Sequence, residues 1–436
     1  MPTDLSCREL PGWVDPAEVY LSGPAASAHS FWLDAGPAAP EGWSWLGEGV
    51  PVAGSPREQE VAGAARPGPG GPFRGGWIGW LGYDAAASAA GAPIAADGGD
   101  RGILSAPQEN GLQVERFVAF DHAARRMWAW APVGELDTFA AEAASWRGAA
   151  VDTNAAPPLP VTARHRPDEY AALIERCRDA IRDGDAYQLC LTTRFEVRGR
   201  MDPVAAFLRL RAATPAHHGG LIRIGDHALA SASPERFLEI ADGVIRTRPI
   251  KGTRPRGKDP RTDAALADDL RESVKERAEN VMIVDLMRND LQRVCTDGSV
   301  AAERLLDVES YAAVHQLVST VAGRLRPGIR FGEVLAAAFP AGSMTGAPKL
   351  SAMSILHELE ASPRGVFAGC FGWVGADGRA DLAMVIRSIV FEPGGAYVGA
   401  GGGITWRSEP EAEVAEVGVK ARGPLAALGG ALPSGW

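Results

Sequence analysis

Chemistry-bearing residues crowd the second half of this 436-residue chain. In RPIKGTRPRG, Lys251 stands among Arg248, Arg254 and Arg256. Neighbouring cations disfavour an ammonium, so this setting would leave Lys251 partly neutral and nucleophilic. A basic surface turn accounts for the same composition. Gly252 permits close backbone approach and Thr253 adds a hydroxyl. In SPERF, just ahead of an apolar strand, Glu235 is a candidate general acid or base, against the commoner alternative of a solvated strand-end glutamate. Two helical stretches carry glutamates three apart. Glu272, Glu276 and Glu279 share a face in the first, and Glu409, Glu413, Glu416 and Lys420 in the second. One acidic stripe is usually a solvated face. Two invite a bridging hard cation such as Mg²⁺, which takes one or two carboxylates and fills its shell with water and substrate oxygens.

Three further stretches suit an anionic ligand. AYVGAGGGI (Ala396–Ile404) reads as a strand running into a glycine-rich loop whose amides could cradle an anion. A dinucleotide fingerprint is the rival reading, and it fails because only about 30 residues follow, too few for the β-α-β unit it needs. FPAGSMTGAPK (Phe339–Lys349) sets small residues, two hydroxyls and a lysine before a helix. Arg387, in MVIRS, falls in an apolar strand, where its charge needs a ligand carboxylate or a structural ion pair. His315, in YAAVHQL, is either a ligand contact or a satisfied core histidine; for a lone histidine the core reading is favoured.

Hairpins and helices must position these groups. The pattern predicts a helix over Pro167–Asp183, a strand over Ala186–Val197 and a helix over Pro203–Ala213. Strands around Leu221–Ile224 and Ala228–Ser231 follow, then a strand pair about the turn Asp242–Gly243. One long helix is expected over Asp263–Asp290, with others at Phe331–Ala338, Lys349–Glu360 and from Pro410. Strands are expected at Gly369–Val374, Leu382–Phe391 and Ala396–Gly399. Earlier, FRGGWIGWLGYD (Phe73–Asp84) reads as a buried strand between loop-like tracts at Pro51–Pro72 and Asp84–Gly102, and Gln113–Trp130 as strands about a turn at Asp121–Arg125. The proline-bearing segment Asn154–Pro167 marks a soft boundary near residue 160, dividing an N-terminal region (1–160) from a catalytic one (161–430), a division compatible with one core shared by both. Without strict β-α-β alternation, the class is α+β.

Bulk properties narrow the function classes. No apolar run is long enough to span a bilayer, and the opening MPTDLSCRELPGW has no basic stretch leading into an apolar one, so neither a membrane span nor a secretory leader is expected. The five cysteines are scattered, without C-x-x-C spacing, which fits a reducing cytoplasm rather than a disulfide framework or zinc site. A formal net charge of −10 argues against non-specific nucleic-acid binding and requires a local positive device if the substrate is an anion.

Taken in order, SPERF, PIKGT, KERAEN, FPAGSMTGAPK, GAGGG and PEAE resemble the chorismate-binding enzymes, over most of Arg166–Ala421. That family includes anthranilate, aminodeoxychorismate, isochorismate and salicylate synthases. The resemblance implies an α/β sandwich of two packed antiparallel sheets surrounded by helices. It implies Glu279 and Glu416 as Mg²⁺ ligands, with Glu276 and Glu413 as their neighbours. It sets Gly252, Thr253, His315, Thr345, Arg387, Gly401, Gly402, Gly403 and Lys420 around the substrate. Lys251 stands where anthranilate synthases have alanine, which suits the aminodeoxychorismate branch. There the lysine attacks C2 of chorismate as the 4-hydroxyl leaves with help from the residue matching Glu235, and ammonia then adds at C4. Gln188 occupies the place of the water-activating lysine of isochorismate and salicylate synthases and cannot act as a base. Phe367, Ala415, Cys190 and Asn280 depart from common family residues (tyrosine, glutamate, asparagine and histidine). The chain shows no glutaminase signature, so a separate glutamine amidotransferase subunit or free ammonium is the implied ammonia source. The product would lead to p-aminobenzoate, for folate or a secondary metabolite. The competing readings are an ortho-aminating enzyme and a catalytically silent binding homologue.

Overall fold

A computed structural model describes residues 4–37, 39–61, 68–93, 107–311 and 314–436. In chain order the elements are β1 (Leu5–Leu10), α1 (Pro16–Ser22), β2 (His29–Asp34), β3 (Trp43–Ala53), β4 (Gly76–Leu81), α2 (Tyr83–Ala89), β5 (Glu109–Asp121), β6 (Arg126–Pro132), α3 (Leu136–Ala144) and β7 (Val161–Ala163). Then come α4 (Pro167–Arg182), β8 (Gln188–Arg198), α5 (Pro203–Ala213), β9 (His218–Ile224), β10 (His227–Ser233), β11 (Arg236–Ala241), β12 (Val244–Thr247) and β13 (Ile250–Pro255). The remainder is α6 (Pro260–Glu272), α7 (Val274–Gln292), β14 (Ala301–Ser310), β15 (Val314–Arg324), α8 (Phe331–Ala338), β16 (Gly346–Ala347), α9 (Lys349–Glu360), β17 (Cys370–Gly375), β18 (Ala380–Met384), β19 (Ser388–Glu392), β20 (Gly395–Ile404) and α10 (Pro410–Ala427).

Local chemistry explains many of these boundaries. Pro167 opens α4, the Glu169 carboxylate accepts from the Arg166 amide at 2.8 Å, and Arg182 closes the last turn. Asp242 and Gly243 both have positive φ, +53° and +70°, so the β11–β12 hairpin turns on the predicted Asp-Gly pair.

Every strand-to-strand ladder among the described residues is antiparallel. One layer runs β1-β6-β5-β3-β2-β9-β10-β19-β20-β8-β7. The other runs β5-β4-β17-β18-β11-β12-β15, with β13 and β14 on β15. The 13-residue β5 belongs to both, so the two layers form one folded-over surface. Phe31, Ile222, Leu229 and Val390 from the first layer share a core with Leu238, Phe371 and Trp373 from the second. On the outer face of the first layer, Trp32, Leu221, Ala230 and Ile389 meet helices α4, α5, α9 and α10. Alternate residues of one strand thus serve two cores. This is the expected α+β sandwich. Strands from before and after residue 160 are direct neighbours, β2 with β9 and β4 with β17. Among the described residues no helix is long and apolar enough to cross a membrane.

Four expectations need correction. The long helix over Asp263–Asp290 is two helices, because Ser273 takes a non-helical conformation (φ −58°, ψ 109°) and caps α7 through the Glu276 amide. Glu272 therefore does not continue the stripe of Glu276 and Glu279. The strand Leu382–Phe391 is broken into β18 and β19, and Arg387 sits in the break with φ +52°. The glycine run at 401–403 is strand, not loop: it pairs with β8 as far as Ile404↔Leu189. The tract from Asp84 begins with helix α2, and its positions 94–102, like 62–67 of the Pro51–Pro72 tract, lie outside the described residues.

Candidate active site

The site forms where β19 and β20 part. They pair from Val390↔Tyr397 to Glu392↔Gly395, and beyond Tyr397, among the described residues, β20 pairs only with β8. The opened edge, the β13 bulge, α7 and α10 enclose a cavity of about 500 Å³.

Lys251 enters this cavity through a register shift. Ile250 pairs with Val318 and Thr253 with Gln316, so Lys251 and Gly252 together oppose Leu317. Such a bulge re-aims a side chain. Gly252 makes it feasible: its φ is +83°, and a Cβ there would lie 2.8 Å from Leu270 and 2.9 Å from the Glu276 carboxylate. Across the cavity floor, a Cβ on Gly403 would lie 3.0 Å from the Lys251 Nζ and 2.4 Å from the Gln188 amide nitrogen. Gln188 is fully buried, and among the described residues neither of its amide atoms has a hydrogen-bond partner. Such an amide is costly without a ligand to satisfy it.

The field at Lys251 differs from the one its neighbours in sequence suggest. Arg248 pairs with Glu309, Arg254 with Asp269 and Arg256 with Asp263. None of the three arginine charges is left uncompensated beside Lys251, which acts instead on Glu235, Glu279 and Glu416. The proposed activation of Lys251 by those arginines is thus corrected.

Glu235 lies in the turn between β10 and β11, buried rather than solvated. Burial pushes its carboxyl up to about 7, against the opposing pull of Ser343, Lys251 and Lys420. A carboxylic acid with that value can both hold and release a proton near neutrality. Arg387 also lines the cavity, and among the described residues no ion pair or side-chain hydrogen bond engages its guanidinium. Burial lowers its pKa, with Glu416 acting in the opposite direction. An uncompensated, half-buried guanidinium is a natural receptor for an anionic ligand group.

The two acidic helices face each other at the rim. Glu276 and Glu279 from α7 and Glu413 and Glu416 from α10 all line the cavity. Burial raises the pKa of Glu279 and of Glu413; at Glu416, burial acts upward but Lys420, 2.7 Å away, together with Lys251 and Lys275, outweighs it and lowers the pKa. One Glu279 oxygen is buried without a partner among the described residues. Among the described residues no three His, Cys, Asp or Glu side chains converge into a ready-made metal cage. An orphaned carboxylate oxygen opposite a second acidic helix nevertheless fits Mg²⁺, which needs few protein ligands.

Three predicted residues do not line the cavity: Gln188, which lies next to Gly403, and two that stand apart from this group, His315 and Thr345. His315 is buried, with Nδ1 2.8 Å from the Ser310 hydroxyl and Nε2 2.9 Å from Asp263, so it is a satisfied core histidine. Its neighbour Gln316 lines the cavity instead, because successive strand residues face opposite ways. Thr345 is fully buried and gives its hydroxyl to backbone carbonyls of Ala341 and Gly342. Thr253, Gly401, Gly402, Gly403 and Lys420 do line the cavity, and Lys420 donates to the Gly401 carbonyl at 2.7 Å. Phe367 and Cys190 line it too.

Sequence reasoning missed Lys275, on the cavity rim, and Arg364 behind its wall. The Arg364 guanidinium donates to the carbonyls of Cys190 (2.8 Å) and Met344 (2.6 Å) and to Glu360, while its backbone amide donates to Asp84. It ties together two cavity walls and the N-terminal region. Lys275 could have been found, since it precedes Glu276 in the acidic helix; Arg364 carried no local signal.

A larger cavity, about 720 Å³, lies on the far side of Pro234 and Ile250, which line both. Its arginines are already paired, Arg236 with Asp381 and Arg248 with Glu309, and neither Lys251 nor Glu235 lines it. Size alone would select it; the converging reactive groups select the smaller cavity.

Known proteins resemble this chain over most of its length. The family model for "chorismate binding enzyme" matches residues 47–426. An aminodeoxychorismate synthase of Streptomyces pristinaespiralis is 42% identical over 390 residues, covering 85% of this chain and 53% of the relative. An anthranilate synthase component 1 of Streptomyces coelicolor is 39% identical over 378 residues, covering 82% and 73%. The crystal structure of anthranilate synthase component I from Streptococcus pneumoniae superposes with a TM-score of 0.74 at 28% identity, over 97% of this chain and 92% of that one. The chain thus spans about half the length of the aminodeoxychorismate synthases of Streptomyces that it matches.

Proposed function

Since the chain belongs to the chorismate-binding enzyme family, we propose that it aminates chorismate at C4 to give 4-amino-4-deoxychorismate, with Mg²⁺ as cofactor and ammonia from a glutamine amidotransferase partner. The observation that carries this reading is the Lys251 amine, brought by the β13 bulge to the cavity floor beside Gly403 and in the field of Glu235.

In the first step the lone pair of the Lys251 amine nitrogen forms a bond to C2, the ring double bonds shift, and the C4–O bond breaks. Glu235 supplies the proton with which the hydroxyl leaves as water. In the second step ammonia bonds to C4, the double bonds shift back, and the C2–N bond to Lys251 breaks. The proton lost by the incoming nitrogen returns to Glu235. The sum is chorismate plus ammonia giving product plus water. Arg387 supports the reading as receptor for a substrate carboxylate. Gln188, with no basic atom, offers water no activation. Glu279 and Glu416, with Glu276 and Glu413 beside them, would hold Mg²⁺, whose charge would offset that of the substrate carboxylate.

The test is product analysis. The purified chain is incubated with chorismate, Mg²⁺ and ammonium, with and without an aminodeoxychorismate lyase. The expected result is p-aminobenzoate only when the lyase is present, and none from Lys251→Ala. Anthranilate or isochorismate as product would overturn the C4 assignment; no turnover with an added amidotransferase would favour a silent homologue.

A further inference from the structure

We infer that Lys275 is a tethered counter-cation that competes with Mg²⁺ for the carboxylate cluster, so that metal entry must displace its ammonium. This rests on the reading of Glu279 and Glu416 as metal ligands.

Three of the four carboxylates carry a cation of their own: Glu276 has Arg254 at 3.6 Å, Glu416 has Lys420 at 2.7 Å, and Glu413 has Lys275 at 3.8 Å. Glu279 has no such ion pair among the described residues, and one of its oxygens is the orphan. The three cations are not equivalent. Arg254 is also held by Asp269 at 2.7 Å, and Lys420 by the Gly401 carbonyl at 2.7 Å. Their side chains are 26% and 30% exposed. Lys275 is 47% exposed, has the longest contact of the three, and makes no second bond among the described residues. Its ammonium is compact, strongly hydrated and on a flexible stem, so it can swing into water.

The position of Lys275 points the same way. It lies in the first turn of α7, where the helix dipole disfavours a cation and favours the neighbouring Glu276. The helix itself therefore gives no reason for a lysine here. The carboxylates across the cleft do: Lys275 acts on Glu413, Glu279, Glu276 and Glu416 together. A divalent ion held by Glu279 and Glu416 would carry twice the charge into the same carboxylate cluster, so it and the Lys275 ammonium would repel each other.

The experiment is calorimetric titration of the full chain with MgCl₂, without chorismate, at fixed ionic strength. Lys275→Met is expected to bind Mg²⁺ roughly three- to tenfold more tightly than wild type, the scale of one half-exposed charge at this range. Lys275→Arg, which keeps the charge, is expected to stay near wild type. Unchanged or weaker binding by Lys275→Met would overturn the inference. Glu279→Gln separates this from failure of the metal reading: it should abolish the heat. If it does not, or if no variant binds Mg²⁺ even with chorismate added, the metal site itself is misassigned and the inference falls with it.

Discussion

At the scale of single residues, environment rather than identity makes Glu235 useful. A glutamate left in water would be ionised at neutrality; burial holds this one at about 7. The sign of its pH dependence follows. The protonated form, which the departing hydroxyl needs, is present below pH 7 and lost as pH rises through that value. The wild-type rate of C4–O cleavage should therefore fall above about pH 7 when measured at constant free ammonia. Glu235→Gln should lower kcat about 10²–10⁴-fold and remove that limb of the profile. If the limb survived the substitution, the proton would belong to another group.

At the scale of elements, two glycines hold the site open for different reasons, and alanine at each should separate them. Gly403 has ordinary strand geometry, so alanine there is conformationally acceptable, yet its Cβ would fall on Gln188 and Lys251. Gly403→Ala should leave the melting temperature near wild type while lowering kcat at least tenfold. Gly252 has φ +83° in the bulge, so alanine there strains the backbone by about 1–3 kcal/mol and should lower the melting temperature as well. Thermal unfolding beside steady-state kinetics checks both; equal melting shifts for the two would contradict the assigned causes.

At the scale of the whole molecule, the catalytic segment depends on the N-terminal third. β2 covers the edge of β9, and β4 covers β17. Asp84 accepts from the amides of Arg364 and Gly365, at the back of the cavity wall. A fragment of residues 161–430 would expose two strand edges together with buried Ile222, Phe371 and Trp373. Expressed alone, it should be insoluble or lack a cooperative thermal transition by circular dichroism. A soluble fragment with a sharp transition would show the region to be a self-sufficient domain.

Much of this was legible along the chain. Helix α4, the Asp242–Gly243 hairpin and α10 announce themselves through caps, turn residues and periodicity, because those signals act between residues a few positions apart. The ordered motifs likewise identify the family and most residues that line the cavity, since each motif carries its chemistry locally. Other features depend on contacts that no short stretch contains. Parity in β15 decides that Gln316 and not His315 faces the cavity, and a single-residue slip would reverse it. Carboxylates distant in sequence, at Glu309, Asp269 and Asp263, claim the arginines around Lys251. The bulge that aims Lys251, the Arg364 tie and the meeting of α7 with α10 exist only once the sheets pair and fold over. Composition and spacing determine which groups are available; tertiary pairing decides which charges remain uncompensated, and those are the ones left to meet a substrate.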